Sequence, residues 1–181
     1  METYLSIRLP IKENANWFEE LKRQLGHLHV RWQNGGYHIT LAFLNDSPID
    51  KDVPSVISRH LDKAAIHSLT FDRLDVFTAV ISKQHIINLT VSDVPEAFYS
   101  WVDGIRQDLK SQGCMIQSGF KLHVTLGRVK MSDMDLRDLQ TLVGKIQIPS
   151  FSLPLSSLEY REPVSIDKRK GRLIKKWTIP R

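Results

Sequence analysis

The stretch YHITLAFL, residues 37–44, recurs as LHVTLGRV at residues 122–129, so His-x-Thr-Leu occurs twice, starting at His38 and at His123. With 7 histidines in 181 residues, chance supplies only about 0.04 such tetrapeptides, and a matched pair marks a duplication rather than a coincidence. Both stretches are rich in β-branched and aromatic residues, as strands are. In a strand, residues i and i+2 share a face. His38 and Thr40 therefore point one way and Ile39, Leu41 and Phe43 the other, and His123 and Thr125 oppose Val124 and Leu126 in the same manner. The polar pairs are expected to face a cleft and the apolar sets a core. Ala42 and Gly127, next on the polar face by simple alternation, would leave room there for a ligand.

The order of elements around the two motifs repeats as well. Before the first lie a short strand through Leu5, Ile7 and Leu9 and a helix through Trp17, Phe18, Leu21 and Leu25, ending near Gly26. After it come a helix from Val53 to His67 and a strand from Leu69 to Phe77. The second round has a strand over 86–91, and a helix through Phe98, Trp101, Val102, Ile105 and Leu109. Ser92 or Asp93 is expected to cap that helix and Gly113 to end it. The motif strand over 122–129 follows, then a helix opened by Ser132 and running to Ile146. Strand-like segments over 151–160 and 172–179 close the chain. The simplest account is a duplicated strand-helix-strand-strand-helix-strand unit, folded into one α+β domain of two lobes over residues 1–181.

Composition sets the outer limits. A chain that is 41% hydrophobic and 25% charged has the make-up of a folded globular protein, not of a disordered or collagenous one. One cysteine, Cys114, excludes an internal disulfide and a cysteine zinc site. No run approaches the roughly 18 apolar residues of a membrane span, and no basic-then-apolar leader opens the sequence; a cytoplasmic, membrane-free setting is expected. The formal charge of +5 favours an anionic partner.

Two imidazoles and two hydroxyls facing one another form an acid-base device. Histidine titrates near neutrality, so one ring can take a proton from water while the other gives one to a leaving oxygen. Threonine hydroxyls can donate to phosphoryl oxygens where charge is held in the transition state. Neither motif carries an Asp or Glu, and two histidines fall short of the three protein ligands a catalytic zinc takes, so no metal or other cofactor is expected.

These paired motifs resemble those of the 2H phosphoesterases, and within them the 2′-5′ RNA ligase-like or RNA 2′,3′-cyclic phosphodiesterase branch. The resemblance extends from the opening strand past Arg128 to the closing strands. It implies two pseudo-symmetric antiparallel sheets with outer helices flanking a central cleft, and hydrolysis of a 2′,3′-cyclic phosphate to a 2′-phosphomonoester. It implies His38 as general acid toward the 3′-oxygen, His123 as general base toward water, and Thr40 and Thr125 as holders of the phosphate oxygens. Arg128, which follows the second motif as an arginine commonly does in the family, becomes a candidate substrate contact. Where the family often has a proline before the second motif and a glycine after the first, this sequence has Leu122 and Asn45.

The expected partner is RNA or a nucleotide cyclic phosphate, bound by a monomer. Cleavage or ligation of 2′-5′ linked oligonucleotides, and non-catalytic RNA binding, are the alternatives. Tyr37 and Phe43 flank the first motif and can stack a base, with core packing the stronger expectation for Phe43. The other five histidines, His27, His29, His60, His67 and His85, read as surface or structural. The segment from Lys168 to Lys176 holds six basic residues in nine; with Gly171 as a hairpin tip it fits either a charged edge that blocks aggregation or a contact for an RNA backbone.

Overall fold

The computed structural model describes residues 3–45, 52–163 and 172–180. Its strands are β1 (Thr3–Arg8), β2 (Arg31–Trp32), β3 (His38–Asn45), β4 (Ser68–Phe71), β5 (Arg73–Ala79), β6 (Gln84–Thr90), β7 (Met115–Ile116), β8 (Val124–Lys130), β9 (Phe151–Pro154), β10 (Ser157–Arg161) and β11 (Leu173–Thr178). The helices are α1 (Asn16–Gln24), α2 (Val53–Leu61), α3 (Glu96–Ser111) and α4 (Leu136–Gly144).

Nine strands form one antiparallel sheet. Its main path runs β11-β10-β1-β3-β8-β6-β5, with β2 added to β8 and β7 to β3, while β4 and β9 pair apart from it. Two halves are visible in that order. They meet where β3 and β8 touch at a single residue pair, Ile39 and Val124. The short strands cross over: β2, which precedes the first motif, pairs with the second motif's strand, and β7 returns the exchange.

The halves are not the two halves of the sequence. The segment over 69–77 breaks at Asp72, so β4 leaves for β9 while β5 pairs along its whole length with β6. The carboxylate of Asp72 accepts from the Ser92 amide at 2.9 Å, which holds that corner. The segment over 151–160 breaks likewise after Pro154, and β10 runs back to β1. The half of the sheet around β3 is thus completed by β10 and β11 from the far end of the chain, and the architecture is α+β with antiparallel sheets.

Helix boundaries follow local chemistry. Asp52 caps α2 by accepting from Ser55 N, and Asp135, not Ser132, caps α4. The N-cap of α3 is Pro95 rather than Ser92 or Asp93. Its C-terminus closes as expected at Gly113, whose φ of 76° suits a left-handed cap: Gly113 N donates to Lys110 O and Cys114 N to Leu109 O. α2 stops at Leu61 rather than reaching His67. His60 is buried and its Nε2 meets Asp108 at 2.8 Å, tying α2 to α3. His85 is held between Thr78 and the Met134 carbonyl; both histidines are structural. Of the basic C-terminal segment, residues 168–171, the expected hairpin tip among them, lie outside the described residues. Lys175 and Lys176 stand on β11, the edge strand.

Candidate active site

The single pairing of Ile39 with Val124 organises the site. In an antiparallel pair the residues flanking such a contact lie opposite one another on the other face. His38 and Thr40 from one strand are therefore set against Thr125 and His123 from the other, while Ile39 and Val124 are wholly buried in the core beneath. Thr40 and His123 line one small cavity of about 100 Å³ together with Phe43, Gln117, Phe120 and Lys121.

Both imidazoles are held the same way. His38 Nδ1 lies 2.7 Å from Gly36 O and His123 Nδ1 lies 2.9 Å from Lys121 O. A carbonyl only accepts, so Nδ1 carries a hydrogen in each ring and Nε2 is the nitrogen left for chemistry. The Gly35-Gly36 pair makes the first of these contacts possible: both glycines have positive φ, 67° and 70°, which L side chains rarely adopt. Tyr4 stacks on His38 at 5.7 Å and Phe77 meets His123 edge-on at 5.0 Å. Burial pushes both imidazoles below their ordinary value; the positive charges of Arg8 and Arg161 add to this at His38, and those of Lys121 and Arg128 at His123. A site crowded with cations favours an anionic ligand.

Simple alternation fails just beyond each motif, and it fails identically in both. On β3 the partners of Leu5 and Ser6 are Ala42 and Thr40, so Leu41 is an extra residue; on β8 the partners of Ile87 and Asn88 are Gly127 and Thr125, so Leu126 is extra. Each bulge turns the following residues over. Ala42 and Gly127 become buried, and Phe43 and Arg128 come round to the face of the histidines. This corrects two expectations and sets the face of Arg128. Gly127 packs against Trp32 and Val30 and does not open the cleft, whereas Ala42, though buried, still borders the small cavity. Phe43 is not a core residue but is 38% exposed and lines the small cavity beside Thr40 and His123. Arg128, which alternation sets opposite His123, shares its face, and its guanidinium reaches Gln33 Oε1 at 3.4 Å.

Gly127 has a packing reason to be glycine. A Cβ there would stand 2.9 Å from both Trp32 Cε3 and Val30 Cγ1. Gly127→Ala is expected to destabilise the fold by about 1–3 kcal/mol through overpacking, measurable by urea denaturation; an unchanged midpoint would show that Trp32 swings away freely.

Tyr37 is also corrected. It is 2% exposed, packs edge-on against Phe18 and donates its hydroxyl to Gln33 O at 2.7 Å. It has no face to offer a base. The tyrosine whose ring lies beside His38 and Phe43 is Tyr4.

Arg106 escaped the sequence reading. It is buried, and its guanidinium donates to Leu41 O at 2.8 Å, Gln117 O at 2.7 Å and Gly119 O at 2.9 Å. The first of these carbonyls belongs to the bulged residue, whose place in the ladder is disturbed. In the other motif Gln33 N performs that service for Leu126 O at 2.8 Å. One signal was present: Arg106 follows Val102 by four residues and Ile105 by one, inside the apolar stripe of α3. Ser6 and Asn88, paired across the ladders with Thr40 and Thr125, were missed as well. Ser6 Oγ and Asn88 Oδ1 are buried without a hydrogen-bond partner among the described residues.

Among the described residues no cluster of three or more His, Cys, Asp or Glu side chains is placed to hold a metal ion, and no helix is long and apolar enough to cross a membrane.

Residues 9–86 match the family described as LigT like Phosphoesterase. Among solved structures, Escherichia coli LigT complexed with 3′-AMP matches with a TM-score of 0.61 at 17% identity, over 99% of this chain and 98% of that one. A structure described only as a phosphoesterase matches at 0.60 and 19%, over 99% of both chains. The protein TT0787 of Thermus thermophilus matches at 0.62 and 15%, over 99% and 98%. No curated protein sequence matches. The fold is that of a phosphoesterase along the whole chain. The family match covers the part of the chain that holds the first motif, and the likeness to the solved phosphoesterases extends the shared fold through the second.

Proposed function

We propose that this phosphoesterase opens 2′,3′-cyclic phosphate ends of RNA to 2′-phosphomonoesters, acting as one bilobal, monomeric unit. The observation that carries the reading is the meeting of β3 and β8 at Ile39 and Val124, with both Nδ1 atoms tied to backbone carbonyls. His123 Nε2 takes a proton from water as the water oxygen bonds to phosphorus. The bond from phosphorus to the 3′-oxygen breaks, and protonated His38 delivers its Nε2 hydrogen to that oxygen. Thr40 and Thr125 donate to the non-bridging oxygens, where charge is held as the bond order changes. Arg128, on the same face, adds a fixed positive charge. Phe43 and Tyr4 offer rings on which the terminal base can stack. Of the relatives, LigT has been crystallised with 3′-AMP, with ATP and with NADP+, all nucleotides. The setting proposed is the cytoplasm, and the proposed chemistry uses no metal or cofactor.

The pH dependence tests this assignment. Turnover requires His123 neutral and His38 protonated. With both imidazoles depressed below about 6.5 in the free protein, kcat/KM is expected to be bell-shaped with its maximum on the acid side of pH 6.5, falling through neutrality as His38 loses its proton. A bound phosphate favours imidazolium, so the kcat profile is expected at higher pH. A kcat/KM that rises steadily from pH 6 to pH 8, or activity removed by EDTA and restored by a divalent ion, would contradict the two-histidine mechanism.

A further inference from the structure

We infer that the protein holds a second nucleotide of the RNA end outside the catalytic cavity, on an aromatic ledge formed by Tyr99 and Phe120. The inference rests on the RNA-end reading given above. Phe120 lines the catalytic cavity beside Thr40, Phe43 and His123. It also lines a groove of about 450 Å³ bordered by Tyr99, Ser100, Asp103, Arg106 and Lys110, and another of about 430 Å³ bordered by Tyr99, Arg73 and Lys121. Its ring is the wall shared by all three.

Tyr99 is 44% exposed, a large aromatic residue on the outer face of α3. Its ring meets Phe120 edge-on at 5.9 Å between centroids, and Phe120 is braced behind by Phe98 at 6.3 Å. An exposed ring fixed in this way presents a stacking surface whose ordering cost is already met. Cations stand where a strand leaving the cavity would bring its phosphates: Lys121 lines both the cavity and one groove, and Lys110 lines the other. Rings interleaved with cations are the pattern that tracks single strands without reading their sequence. Three carboxylates, Asp75, Asp93 and Asp103, also border the grooves. Lys121 Nζ lies 3.4 Å from Asp75, which sets its position rather than cancelling the surface.

The test separates the ledge from the chemistry by reading binding and turnover independently. A labelled tetranucleotide ending in a 2′-phosphate and the matching mononucleotide are titrated against the full chain by fluorescence anisotropy. Tyr99→Ala is expected to weaken the tetranucleotide about tenfold, Tyr99→Phe to restore it, and neither to change mononucleotide affinity. Lys110→Ala is expected to flatten the salt dependence for the tetranucleotide only. Equal losses for both ligands, or a tetranucleotide bound no better than the mononucleotide, would overturn the ledge. Failure of the wild-type chain to open any cyclic phosphate, with the Tyr99 effect intact, would instead overturn the cyclic phosphodiesterase reading and leave the ledge standing.

Discussion

His123→Ala is expected to lower turnover of a 2′,3′-cyclic phosphate by roughly 10²–10⁴-fold, the range a positioned acid or base contributes. His38→Ala should cost a similar amount, and the double variant little more than either, because the two groups act in one concerted proton exchange. Neither ring is part of the apolar core, and each is tied to a backbone carbonyl. Loss of activity without loss of the unfolding midpoint therefore separates chemistry from folding. Thermal denaturation of the variants is the control, and activity within a few-fold of wild type in either single variant would remove that histidine from the mechanism.

Arg106→Met carries the largest expected effect on stability. Met fills much of the same volume, but Leu41 O, Gln117 O and Gly119 O lose their donors together. Charge-assisted bonds are worth about 1.5–3 kcal/mol each, and a buried carbonyl left unpaired adds its own penalty. Against this stands the cost of keeping the guanidinium in the interior, where burial already presses its pKa down. The bonds outweigh that cost, and a net loss of about 3 kcal/mol is expected, which in a chain of this size lowers Tm by about 6–12 °C. Turnover should fall too, because the bulge at Leu41 positions Phe43, and the loop through Gly119 leads into Lys121 and His123. Arg106→Lys should not restore either quantity, since one ammonium cannot span three carbonyls as a planar fork does. Calorimetry of the two variants decides it, and a Tm within a degree of wild type would show that the carbonyls find other donors.

The face that carries the two histidines was legible because strand geometry is local: a histidine and a threonine two residues apart share a side whatever surrounds them. The bulges were not, since one inserted residue in an eight-residue strand leaves no mark on periodicity. Simple alternation therefore puts Ala42, Phe43 and Gly127 on the wrong faces, while it puts His38 with Thr40 and His123 with Thr125 as the structure does. Partner strands are set by contacts distant in sequence, and so the passage of β5 into one lobe and of β10 and β11 into the other could not be read from a chain that repeats in order. Arg106 lay inside an apolar stripe, where its charge was readable but the carbonyls that need it, on β3 and the loop after β7, were not. Tyr37 misled for the opposite reason: an aromatic residue next to a motif points to substrate in sequence, while the fold turns it toward Phe18.

The central claim is that two histidines from β3 and β8 open a cyclic phosphate at its 3′-oxygen. Its most direct test is to incubate the protein with an oligoribonucleotide ending in a 2′,3′-cyclic phosphate and to identify the product by phosphorus NMR. The account predicts a terminal 2′-phosphate, formed by the wild-type chain and lost in His38→Ala and His123→Ala; a 3′-phosphate, or a cyclic end left intact by the wild-type protein, would contradict it.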